Sequence, residues 1–255
     1  MTAPATGINL PFRARAAIFL RLLAVQGSWN YESLMGTGIG FAIEPALRYL
    51  PGGKDGKAYC AALARESRYF NAHPYLAGIA VGALTRAELD GVDPARIDRF
   101  RIALAGPLGS VGDRLVWASW LPFCSLVALW AYGFGGSALV VAGTFLALYN
   151  IGHLGLRAWG LSIGLSRGLN VASGLANPVL RHGPQYIGSA AALVAGLTLP
   201  LALQRVAGPG RVMAGGIIVV AFIGILLLAR LREHAEGWRV ALGVLALFVL
   251  FSVLT

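Results

Sequence analysis

After Arg114, four stretches of 16 or more residues contain no Asp, Glu, Lys or Arg: residues 115–156, 183–204, 212–229 and 240–255. A helix rises about 1.5 Å per residue, so roughly 20 such residues cross a hydrocarbon layer of about 30 Å. With 57% of its residues hydrophobic and 13% charged, the chain holds more apolar side chain than one soluble core of 255 residues can hide. A bilayer is the solvent that fits. The fold class expected is all-α, a polytopic helical membrane protein. The first run is about twice the length of one span and is punctuated by Gly133, Gly135 and Gly136, which predicts two helices and a tight turn. Each arm of that hairpin is expected to be barely long enough to cross.

The charges divide the chain. Of eleven acidic residues only Glu233 and Glu236 follow Asp113, while Lys and Arg total 21, for a net charge of +10. A basic balance can signal nucleic acid, but here the arginines stand at the ends of apolar runs, where the positive-inside rule accounts for them, so no nucleic-acid partner is expected. Arg157, Arg167 and Arg181 share a stretch without acid, and Arg230, Arg232 and Arg239 crowd another. Both are assigned to the cytoplasmic side, which leaves residues 205–211 and Thr255 outside. Two cysteines, Cys60 and Cys124, support neither a disulfide framework nor a metal site, and His73, His153, His182 and His234 have no i, i+4 pairing for zinc. No cofactor is implied. The first residues lack the short apolar stretch and small-residue cleavage site of a removed signal peptide.

Three regions follow from this pattern. Residues 1–25 are expected to hold a basic amphipathic helix over 11–25, with Pro11 in the first turn, Ile18, Phe19, Leu22 and Leu23 as apolar cover and Arg13, Arg15 and Arg21 as charge. It lies on the inner membrane surface or is an ordinary surface helix. Residues 26–114 read as short broken or re-entrant helices over 33–49, 57–70, 76–89 and 95–105, with a break at Gly106-Pro107. Such pieces line binding sites in transporters, or else form a small cytoplasmic helical domain. Residues 115–255 supply the long transmembrane helices. Small residues at four-residue spacing, Gly36/Gly40, Gly78/Gly82 and Gly160/Gly164/Gly168, would allow close helix contact.

Four clusters hold polar residues that the apolar surroundings do not explain. Gln26-Gly27-Ser28-Trp29-Asn30-Tyr31-Glu32 combines amides, a carboxylate and two aromatic rings, the chemistry that binds sugar hydroxyls and covers the C–H face of a pyranose. The same residues also suit a helix start, with Ser28 or Asn30 as N-cap and Trp29 and Tyr31 at the interface. In Tyr69-Phe70-Asn71-Ala72-His73-Pro74-Tyr75, Pro74 pushes His73 out of helical geometry, so His73 either meets a ligand or satisfies a backbone carbonyl. Residues 106–114 form a glycine-rich turn without the Gly-Lys-Ser/Thr of a phosphate loop, where Asp113 either caps the entering helix or contacts substrate. Last, Asn150 stands before His153, Arg157 and Gly160, where an interhelical hydrogen bond or a ligand contact would explain an amide.

In this order the clusters resemble the IID subunit of the mannose/fructose/sorbose family of the bacterial sugar phosphotransferase system. Gln26 to Glu32 reproduces that family's Gln-Gly-Ser-Trp-Asn-Tyr-Glu stretch, and Phe70 to Tyr75 follows its Phe-Asn-Thr-His-Pro-Tyr with Ala72 in place of Thr. Gly106 to Asp113 is similar to Gly-Pro-Leu-Ala-Gly-Ile-Gly-Asp, Arg101 stands where Lys is usual, and Asn150, Arg157, Gly160 and Gly164 match an Asn, an Arg and paired glycines. The resemblance covers residues 16–168. An Asp- and Pro-containing segment between the later helices, and a longer tail, are missing.

The resemblance implies a multi-pass subunit of the bacterial cytoplasmic membrane. It would form a sugar pathway with a IIC subunit in a trimer of IIC–IID pairs that moves a hexose inward by an elevator-like motion. Cytoplasmic IIA and IIB proteins would carry the phosphoryl group, so the chain alone would catalyse nothing. Asn30, Glu32, Asn71, His73 and Asp113 become candidates for the sugar-facing lining, and Gln26, Trp29, Asn150 and Arg157 for structural or partner contacts. Two other classes compete: an intramembrane enzyme using Glu32, His73 and Asp113 as acid and base, and a non-transporting assembly or regulatory protein that keeps the fold.

Overall fold

The computed structural model describes residues 8–171 and 177–207. The expected spans over 212–229 and 240–255, and the cytoplasmic placement of Arg230, Arg232 and Arg239, lie outside them. Among the described residues eight α-helices follow in order: α1 Phe12–Leu23, α2 Gly36–Leu47, α3 Lys57–Glu66, α4 Ala77–Leu89, α5 Pro94–Gly112, α6 Leu121–Gly133, α7 Ala138–Arg167 and α8 Pro178–Ala207. Extended pairing among the same residues is limited to two isolated bridges, Asn30 with Leu34 and Leu34 with Phe70.

Three of the described helical stretches are long and apolar enough to cross a bilayer: Pro94–Gly133, Ala138–Val171 and Leu180–Val206. The first corrects the sequence reading. Instead of breaking at Gly106-Pro107, α5 runs on through a π-helical segment, Asp113–Trp120, into α6. Proline removes one N–H and strains one turn, but here the buried stripe Ile97, Arg101, Leu104, Leu108 and Gly112 keeps helical spacing on both sides of Pro107 and holds the helix together. Asp93 starts it, accepting from the Arg96 amide at 3.2 Å with Pro94 in the first turn.

The hairpin forms as expected. α6 ends at Gly133, Gly135 turns the chain with a φ of 93°, and Ser137 caps α7 by accepting from the Val140 amide at 3.4 Å. Its arms are longer than expected, because α7 continues past Arg157, which is buried in the fold. That burial also removes Arg157 from the set of loop charges that orient the chain; Arg167, in the last turn of α7, keeps such a place.

The apolar core lies where α1, α2, α4 and α5 meet, around Ile18, Leu22, Ile39, Ile43, Leu76, Ile79, Leu84 and Ile97. α1 is amphipathic, but only Ala14, Ile18 and Leu22 enter that core; Phe12, Leu20 and Leu23 stay exposed on the other side. α4 lies against α7 with glycines on both helices. A Cβ at Gly82 would come within 2.5 Å of the Leu161 carbonyl oxygen, and one at Gly164 within 2.5 Å of the Ile79 carbonyl oxygen. Gly78 and Gly160 complete the contact, so two of the four-residue spacings mark one helix pair.

Candidate functional site

The four polar clusters converge on the segment Phe70–Tyr75. The first is joined to it through the backbone: the Phe70 amide donates to the Ser33 carbonyl at 3.1 Å, and the Met35 amide to the Phe70 carbonyl at 3.0 Å. Leu34 bridges the two at a φ of 49°, a left-handed conformation that costs a side-chain-bearing residue about 1 kcal/mol and persists because both neighbours are pinned. Inside this loop the Asn30 amide is fully used. Its oxygen accepts from the Glu32 and Ser33 amides, both at 2.9 Å, and its nitrogen donates to the Ser28 carbonyl and Ser33 hydroxyl. Asn30 therefore shapes the loop, and no helix N-cap forms there. Gln26, Trp29, Tyr31 and Glu32 are exposed on its surface, with Trp29 and Tyr31 edge to face at 4.9 Å.

The second cluster meets the third at His73. His73 is buried, and Gly112 at the end of α5 packs so closely on its side chain that no Cβ could be added there. Far from binding a carbonyl, His73 accepts from the Tyr75 amide through Nδ1 at 3.2 Å, which places its proton on Nε2. That Nε2–H has no partner among the described residues. Burial pushes the His73 pKa down to about 4; Asp113 opposes the shift and Arg157 adds to it, so the ring is neutral at physiological pH. Asp113 itself is exposed at the first position of the π-helical segment, inside a continuous helix and not at its cap. π-Helical geometry within an α-helix is often found at functional sites, and this eight-residue segment carries Trp117, whose ring lies beside that of His73. Asn71 is exposed beside it.

The second cluster meets the fourth at Tyr75. Its hydroxyl lies 2.8 Å from that of Tyr149, its ring 4.3 Å from the His153 ring, and the Arg157 guanidinium stands 5.2 Å over its face. Arg157 also donates to the Leu22 carbonyl at the end of α1, tying α7 to the N-terminal helices. Asn150 corrects an expectation. Its amide donates to the Leu146 carbonyl at 2.8 Å and lies 3.3 Å from His153 Nδ1, both contacts within α7 instead of across helices.

Trp117 completes the cluster at 5.0 Å from the His73 ring. Sequence reasoning missed Trp117 and Tyr149. A signal existed: Tyr149, His153 and Arg157 repeat every four residues along one stripe of α7, as do Asp113 and Trp117 on the helix opposite. The cluster thus offers an unsatisfied imidazole donor, aromatic faces, an exposed carboxylate and an exposed amide in one region. That set suits a neutral polyhydroxylated ligand better than an anion, since the buried arginine is held by backbone and ring.

Comparison with known proteins gives a consistent outcome. A family model described as the mannose/fructose/sorbose family IID component of the phosphotransferase system matches residues 10–199. The mannose-specific EIID component of Escherichia coli K12 is 30% identical over 175 residues, 64% of this chain and 59% of that protein. The fructose permease IID component of Bacillus subtilis is 31% identical over 170 residues, 63% of this chain and 58% of its own. The matches therefore span less than two thirds of those relatives' length. Among solved structures, a chain of the mannose transporter ManYZ in complex with microcin E492 shares the fold, with a TM-score of 0.57, 23% identity, and coverage of 96% of this chain and 97% of that one.

Proposed function

This chain belongs to the IID components of the mannose/fructose/sorbose phosphotransferase family, and from that membership we propose that it is one half of a sugar permease of the bacterial cytoplasmic membrane. The other half is a IIC membrane subunit, and the two together carry a hexose across the bilayer in a trimer of such pairs. Phosphoryl transfer falls to cytoplasmic IIA and IIB proteins, so the chain alone catalyses nothing.

The observation that carries this reading is the convergence of all four polar clusters on Phe70–Tyr75, beside helices long enough to cross the membrane. Sugar-facing roles go to Glu32, Asn71, His73 and Asp113; Asn30 acts through the shape of its loop, Gln26 and Trp29 sit on the face available to a partner, Arg157 ties α7 to α1, and Asn150 makes its contacts within α7. His73 gives its Nε2–H to a sugar hydroxyl, while Glu32 accepts from one.

Sugar uptake in cells carrying the complete system tests the assignment. Glu32→Gln and His73→Ala should each leave the subunit in the membrane and assembled while lowering uptake at low sugar concentration roughly tenfold, the loss expected for one ligand hydrogen bond. Unchanged uptake in both variants would overturn the site and leave the family membership standing.

A further inference from the structure

The junction of α3, α4 and α5 holds charges that the transport reading leaves unused. Glu66, the last residue of α3, is 0% exposed, and neither of its carboxyl oxygens receives a hydrogen bond from the described residues. Around it stand Arg65 on its own helix, Glu88 on α4 and Arg101 on α5. Arg65 is engaged elsewhere, and Arg101 is shared between backbone carbonyls and an ion pair with Glu66. Arg65 forks onto Glu88 at 2.9 and 2.7 Å. Arg101 donates to the Arg65 and Arg68 carbonyls at the end of α3 and stands 3.6 Å from Glu66. Arg68 and Asp98 pair with each other at the rim, 3.3 Å apart.

An ionised Glu66 would hold a full charge out of water with the Arg101 guanidinium 3.6 Å away but no hydrogen bond donated to either oxygen by the described residues, a costly arrangement for a buried acid. A neutral carboxyl brings its own donor. Glu88 lies within hydrogen-bonding reach of it, with its charge already balanced by the Arg65 fork. We infer that Glu66 is a proton-binding site, protonated at neutral pH and donating to Glu88 across the α3–α4 contact. Burial is the main reason its pKa rises to about 8; Arg101 opposes the rise, the hydrogen bond and charge of Glu88 reinforce it, and Arg65 opposes it.

The site sits beneath the candidate functional segment. Arg101, which faces Glu66, also stands 5.5 Å over the Phe70 ring, and the Phe70 backbone holds the loop that carries Glu32. Proton occupancy therefore bears on how firmly Phe70–Tyr75 is seated. The folded-state pKa, about 8, exceeds the ordinary 4.5, so the folded chain keeps a proton that the unfolded chain releases. The stabilisation is complete below pH 4.5 and is lost as pH rises through about 8. None of this depends on sugar transport.

Infrared spectroscopy of the full-length chain in detergent, titrated from about pH 5 to about pH 9.5, reads the protonated-carboxyl stretch directly. Wild type should show a carboxyl band that disappears with a midpoint near 8, and Glu66→Gln should lack it. Thermal unfolding supplies a second readout: wild type should lose melting temperature across that range, and Glu66→Gln, whose amide keeps a neutral donor for Glu88, should not show that loss. A spectrum without a carboxyl titrating above pH 7, or a band that survives Glu66→Gln, overturns the inference. Should Glu66→Gln fail to fold, Glu88→Gln decides: removing the like charge and acceptor must move the midpoint downward, and an unmoved midpoint overturns the inference.

Discussion

Glu44 gathers three elements onto one carboxylate. Arg21 of α1 reaches it at 2.6 Å, Arg48 at 2.7 and 2.9 Å, and the Tyr59 hydroxyl of α3 at 2.9 Å. Burial by itself would raise its pKa, but the hydrogen bonds from Arg48, Tyr59 and Arg21 outweigh it and hold the carboxyl near 2. A folded-state pKa below the ordinary 4.5 means stabilisation that is present above that value and lost as pH falls toward 2. Discounted for solvent screening, it amounts to about 1–2 kcal/mol. Glu44→Gln should lower the melting temperature at pH 7 and flatten its decline between pH 4.5 and 2, measured by thermal unfolding. At this scale the sequence marked His73 through Pro74, because proline's constraint on its predecessor is local. Trp117 and Tyr149 were harder to see, since their partners lie more than forty residues away and no short motif encodes such a contact. Asn30 was legible as a polar residue in an unusual place. Whether its amide faced a ligand or its own loop depended on Ser28 and Ser33 turning inward, which only the folded backbone decides.

Helices α4 and α7 pack through glycine, and that contact has a direct test. Gly82→Ala drives a methyl into the Leu161 carbonyl and the Leu165 amide, both backbone atoms that cannot move aside, and should cost about 1–3 kcal/mol. Gly143→Ala, on α7 with nothing within 4 Å, should be neutral or slightly stabilising, by up to about 1 kcal/mol. Thermal denaturation of the two variants in detergent separates local packing from helix propensity. The short helices α2 to α4 were readable from their apolar runs and their glycine and proline boundaries. The long one was not, because Gly106, Pro107 and Gly109 weigh as breakers in isolation while the decisive signal was the buried stripe crossing them. The π-helical segment that follows, Asp113–Trp120, left no pattern in the residues; within it the Ser119 hydroxyl donates to the Arg114 carbonyl at 2.8 Å and to the Pro184 carbonyl of α8 at 3.3 Å.

For the molecule as a whole, the N-terminal helices meet α7 along the α4 glycine contact and again where Arg157 joins α7 to α1 and Tyr75 joins α7 to the Phe70–Tyr75 segment. Loop residues 26–32 stay exposed at that junction, with Trp29, Tyr31 and Glu32 uncovered. On the proposed permease reading this face is assigned to the second membrane subunit and the sugar pathway to the space between the two. The most direct test is to express the chain with and without the IIC-type protein of its own genome, purify each in detergent, and measure retention of radiolabelled mannose. The expected result is a stable complex that retains sugar, with no retention by this chain alone. A well-folded chain that purifies without the IIC-type protein and forms no complex when the two are present together would contradict the permease reading.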